Sequence, residues 1–69
     1  MNIVTELTNL SLHRPAPDAT DAEVATWYER KATVHDAMAA DADGVVAAKE
    51  RAYAAAARAH ARSLSQAAA

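Results

Sequence analysis

The stretch TDAEVATWYERKATVHDAMAADADGVVAAKERAYAAAARAHARSLS, residues 20–65, decides the fold. It opens on Thr20-Asp21-Ala22-Glu23, the form of a capping box, in which the Thr20 hydroxyl can accept the Glu23 backbone N–H while the Glu23 carboxylate reaches back. At 100° per residue, Val24, Trp27, Tyr28, Lys31, Val34, His35 and Met38 fall on one side of the helix that follows. Thr26, Glu29, Thr33, Asp36 and Ala40 fall on the other. Asp41 and Asp43 oppose the negative end of this helix but favour the start of the next, and Gly44 separates the two periodic stretches. A turn is expected near residues 41–44.

The second helix should run over about residues 45–65, with alanine supplying high intrinsic helicity. Its apolar side collects Val46, Lys49, Tyr53, Ala56, Ala57, His60 and Leu64, and the reverse carries Arg51, Arg58 and Arg62 in one stripe. A turn this short makes the helices antiparallel neighbours, with facing position numbers that sum to roughly 84. That symmetry sets Trp27 over Ala56 and Ala57, Met38 by Val46, Val24 by His60 and Lys31 by Tyr53. The expected fold is all-α, an antiparallel helical hairpin with a short N-terminal helical arm.

Upstream, Pro15 and Pro17 disfavour helix at the residues before them, so residues 13–20 read as a stiff linker that separates the arm, residues 1–12, from the hairpin, residues 21–66. Residues 67–69 read as a frayed tail. In the arm, Ile3, Leu7 and Leu10 stand at helical spacing with Val4 beside them and Asn2 in position to cap. Leu10-Ser11-Leu12 also alternates as a strand would, and so short a helix is not stable alone in water. The arm must therefore dock. It either closes the open side of its own hairpin as a third helix or serves as a docking segment for another chain.

The chain has 69 residues and no cysteine, which excludes disulfides and thiolate zinc sites. Of the residues counted as hydrophobic, 52% of the total, 21 are alanine and only 15 are large. A core so short of large side chains is marginal, and self-association is an expected remedy. The net charge of −2 and a pI near 5.8 give no general pull toward nucleic acid or an anionic membrane. Met1 to Arg14 lacks the basic start and apolar centre of a secretory signal, and no run approaches a membrane span, so a cytoplasmic location is expected.

Candidate sites are few. Lys31 and Lys49 interrupt otherwise apolar stripes at a similar level of the hairpin. Their stems can pack while the ammonium groups reach water, or they can form a small anion-binding pocket with His35 and Tyr53. Arg51, Arg58 and Arg62 could meet phosphates as a DNA-reading helix does, although on an acidic protein a solvated face is the simpler reading. His13, His35 and His60 lack the i+3 or i+4 partner that a metal site on a helix needs, so no metal is expected. Asp41 and Asp43 resemble the start of a calcium loop, but Gly44 is misplaced and the later ligands are Val and Ala. No nucleophile has a base at workable spacing and there is no Gly-rich phosphate loop, so neither catalytic residues nor a cofactor are expected.

The leucine-bearing start, Arg14-Pro15, then Trp27-Tyr28 with Arg30, Ala32 and Val34, followed by an Ala-rich second helix, resembles small helical proteins of actinobacteria whose role is not established. The resemblance spans about residues 7–64. It implies a high-GC bacterial source and no mechanism. The function expected from the residues is that of a small interaction or regulatory protein acting by helix packing, as a homodimer or on a larger protein. Its contact residues are expected to be Ile3, Leu7, Leu10, Trp27, Tyr28 and Tyr53. A DNA-associated regulator using the arginine stripe and a small-anion sensor using Lys31, His35 and Lys49 are the alternatives.

Overall fold

Three helices follow one another in the computed structural model, which describes the backbone of residues 1–68 and the side chains of residues 1–67: α1 (Ile3–Leu12), α2 (Asp21–Ala40) and α3 (Gly44–Ala68). α1 and α2 each begin where the sequence supplies a cap. The Asn2 side chain accepts the Thr5 N–H at 3.0 Å, and the Thr20 hydroxyl accepts the Glu23 N–H at 3.1 Å. His13 closes α1 by donating twice to the Asn9 carbonyl, from its backbone N–H at 3.0 Å and from its ring Nδ1 at 2.9 Å. These caps settle Leu10-Ser11-Leu12 as helix rather than strand.

The linker turns over Ala16-Pro17-Asp18-Ala19, where the Ala19 N–H donates to the Ala16 carbonyl at 3.0 Å and Pro17 takes the position that its fixed φ suits. α2 ends at Ala40, with the Asp41 N–H shared between the carbonyls of Ala37 and Met38. Gly44 then starts α3 at φ +55°, a left-handed value that a side chain would resist. The turn falls within the expected residues 41–44. α3 continues past residue 65 to Ala68, because Ser65-Gln66-Ala67 contains neither the Gly nor the Pro that would stop it. Ala67 is thus helical, and the rest of the expected frayed tail, the Ala68 side chain and residue 69, lies outside the described residues.

α2 packs against α3 along a seam of alanines. Ala25, Ala32 and Ala39 on α2 and Ala47, Ala54 and Ala61 on α3 are all buried, each set spaced by seven, which is two helical turns. Tyr28 packs on the tightest part, formed by Ala32, Ala54 and Ala57. The face expected on α3 is therefore turned by about one residue: Val46, Tyr53, Ala56 and His60 are exposed, and Ala47, Ala54, Ala57 and Ala61 are inside. Trp27 does not pack on the cluster that holds Ala57; Tyr28 packs against it instead. Large residues weigh most in a hydropathy pattern, but the closest approach of two helices admits the smallest side chains, and the large ones flank it.

Tyr28 meets His60, and His35 meets Glu50 and Tyr53. In these pairs the facing numbers sum to 85–88, and in the longer-reaching Asp36–Arg58 pair to 94, all above the expected 84. Cα–Cβ bonds tilt toward the N-terminus of each helix, away from the turn in α2 and toward it in α3. A side chain on α2 consequently meets one from further along α3.

Among the described residues, α1 packs on α2 and makes no contact with α3. Leu10 is buried, as is Val34 of α2, and the Trp27 indole N–H donates to the Leu10 carbonyl at 3.0 Å. The arm docks on its own chain but leaves the other side of the helix pair uncovered, so the three helices do not close on one another. α2 consequently buries two faces, one toward each neighbour. Among the described residues, no helix is long and apolar enough to cross a membrane.

Candidate functional site

Where α1 leans on α2 the two helices leave a pocket of about 230 Å³. Its apolar walls are Leu7 and Leu10 from α1 and Trp27 and Val34 from α2. Ser11, Arg14, Lys31 and His35 supply its polar groups. The positions on α2 follow from the helical period: 27, 31 and 34 lie on one face, and 35 lies between that face and the alanine seam. Arg14 reaches the pocket because the chain leaves α1 there and turns into the linker.

Two ring nitrogens at the pocket are engaged. The Trp27 Nε1–H is held by the Leu10 carbonyl. His35 Nδ1 lies 2.6 Å from Glu50 Oε2, and since a carboxylate only accepts, Nδ1 carries the proton of this bond. Both side chains are largely buried, and the pair ties α2 to α3 beside the seam. The Lys31 ammonium stands 5.9 Å from the Tyr28 ring centroid, a distance at which the ring face attracts it. Among the described residues, neither Lys31 nor Arg14 is in an ion pair.

An aromatic cluster runs from this pocket to the helix pair. Trp27 and Tyr28 meet edge to face at 5.2 Å, Tyr28 and His60 do so at 4.4 Å, and His35 tilts over Tyr53 at 5.4 Å. Of the residues expected at an interface, Leu10, Trp27 and Tyr28 are thus engaged within the chain, and Ile3 is half-buried. Leu7 and Tyr53 remain outward, 40% and 50% exposed.

The anion-binding set divides. Lys31 and His35 share the pocket, whereas Lys49 is exposed on α3 and Tyr53 lies outside the lining. The separation follows from the turned face of α3. Arg14, which sequence reasoning did not include, takes the place given to Lys49; its position directly after the leucine-bearing arm was the available signal.

The arginine stripe is interrupted. Arg58 donates to Asp36 at 2.6 Å across the helix pair, and that hydrogen bond is the main cause holding its pKa above the ordinary value, with the charges of Asp36 and Glu29 adding to it. Arg51 and Arg62 are exposed on either side. The three histidines lie apart: His13 caps α1, His35 pairs with Glu50 and His60 packs on Tyr28.

No family model matches the sequence, and no curated protein or solved structure matches it.

Proposed function

We propose that this chain is a small, non-enzymatic interaction or regulatory protein of the cytoplasm, an antiparallel α2–α3 hairpin flanked by α1, whose partner is a second copy of itself. The observation that carries this reading is the uncovered apolar surface on both banks of the gap between α1 and α3. Val4 and Leu7, three apart on α1, and Val46 and Tyr53, seven apart on α3, are all exposed. His35 joins the two banks, lining the pocket with Leu7 while lying against Tyr53.

Surface area supports the same reading. The chain exposes 4611 Å², compared with about 4,160 Å² for a typical folded monomer of its mass. Seven large apolar residues are exposed, and each carries on the order of 100 Å² of apolar surface that burial would remove. The four on the two banks would supply about 400 Å², roughly half of the ~800 Å² per partner that a stable complex uses. A two-fold dimer sets Val46 and Tyr53 of one copy on Val4 and Leu7 of the other, covering both banks at once. The nucleic-acid alternative has less behind it, since Arg58 is committed to Asp36 and the net charge is −2.

Sedimentation equilibrium over a dilution series tests the reading. A dimer mass is expected, with Val46→Glu and Tyr53→Glu each yielding a monomer of unchanged helicity. A wild-type monomer mass at the highest concentration, or dimeric Glu variants, would overturn it.

A further inference from the structure

We propose that the pocket between α1 and α2 binds a small amphipathic carboxylate, with a single aromatic ring against Trp27 and the carboxylate at the mouth near Arg14 and Lys31. The site is formed within one chain; Leu7 of its wall also belongs to the proposed dimer face, so the site is read on the monomer.

Size, wall and charge each narrow the ligand. A dry protein cavity of about 150 Å³ accepts benzene, so about 230 Å³ has room for one ring with a short substituent and not for a nucleotide. Leu7, Leu10, Trp27 and Val34 present an apolar surface, and the polar atom of the Trp27 ring is already bonded to the Leu10 carbonyl. The body of the ligand must therefore be apolar. His35 Nδ1 is taken by Glu50, which leaves Arg14, Lys31, Ser11 and His35 Nε2 as the lining's polar groups for a ligand, with the Lys31 ammonium also 5.9 Å from the Tyr28 ring. Two of these are cations outside any ion pair among the described residues, so the head group they favour is an anion. Among the described residues, Glu50 is the carboxylate bonded to the lining, through His35 Nδ1.

Trp27 is the only tryptophan and forms part of the wall, so its fluorescence reports occupancy directly. Phenylacetate is the probe, with phenylacetamide as the neutral isostere and inorganic phosphate as the anion without a ring. Phenylacetate is expected to change the Trp27 emission saturably and to raise the melting temperature. Phenylacetamide and phosphate should each bind at least roughly tenfold more weakly, since each lacks one of the two recognition elements. Arg14→Gln and Lys31→Gln should each weaken phenylacetate roughly tenfold, while Lys49→Gln, outside the pocket, leaves it unchanged. Circular dichroism on every variant confirms the fold, and the amide comparison needs no variant at all. Absence of saturation by phenylacetate, equal binding of the amide or of phosphate, or full binding by the Arg14→Gln/Lys31→Gln double variant would each overturn the proposal.

Discussion

Replacing Ala32 by leucine tests the seam where it is tightest. Ala32 is fully buried, and it faces Ala54 and Ala57, which are 1% and 4% exposed. Three added carbons have no space unless α2 and α3 move apart, which also pulls Tyr28 from its seat on Ala57 and strains the His35–Glu50 bond at 2.6 Å. Overpacking a closed core costs about 1–3 kcal/mol. In a domain this small, each kcal/mol lowers the melting temperature by about 4–8 °C, so a fall of roughly 8–16 °C is expected for a mid-range loss of about 2 kcal/mol. Ala55→Leu is the control, since Ala55 is exposed on the same helix as Ala54 and should change stability by no more than about 0.5 kcal/mol. Thermal unfolding followed by circular dichroism at one fixed protein concentration separates the seam from self-association. Equal melting temperatures for Ala32→Leu, Ala55→Leu and wild type would show that the helices are not in close contact at this level.

Trp27→Phe retains a ring but removes the bond to the Leu10 carbonyl, and urea unfolding should show a loss of about 1 kcal/mol. Gly44→Ala places a side chain at φ +55° with nothing to obstruct it within 4 Å, so a strain of about 1–2 kcal/mol is expected by the same assay, and less for Gly44→Asn. Deleting residues 1–12 should leave α2 and α3 helical by circular dichroism, because α1 touches α2 alone, but with a lower melting temperature from the uncovering of Val34 and Trp27.

Much of the fold was legible because its punctuation is local. The Thr20 cap, Pro15 and Pro17, and Asp41-Ala42-Asp43-Gly44 act on their nearest neighbours, so α2 and the turn lie where composition puts them. Which alanines face inward was harder. With 21 in the chain, each contributes little to a hydropathy pattern, and the large side chains that dominate it sit beside the contact rather than in it. The signal that would have found the seam is spacing by seven, Ala25-Ala32-Ala39 and Ala47-Ala54-Ala61, rather than hydrophobicity. The candidate pocket was half legible: Lys31 and His35 do share one apolar side of α2, but that side meets α1 rather than α3, and Lys49 and Tyr53 lie on α3, whose face was turned. The seat of α1 depends on a contact across 17 positions, Trp27 to Leu10, which no local pattern encodes.

The alanine seam also sets how the protein responds to temperature. An alanine has no rotamers to lose on folding, so ordering the seam carries almost no side-chain entropy penalty, and a chain with few large residues can still hold two helices together. The same methyl groups release little apolar surface to water when the helices separate. Heat capacity rises with apolar exposure, so its increment on unfolding should fall below the usual ~12–15 cal/mol/K per residue. The stability curve is then flat, and the protein loses little on cooling compared with a domain of equal length built on leucine.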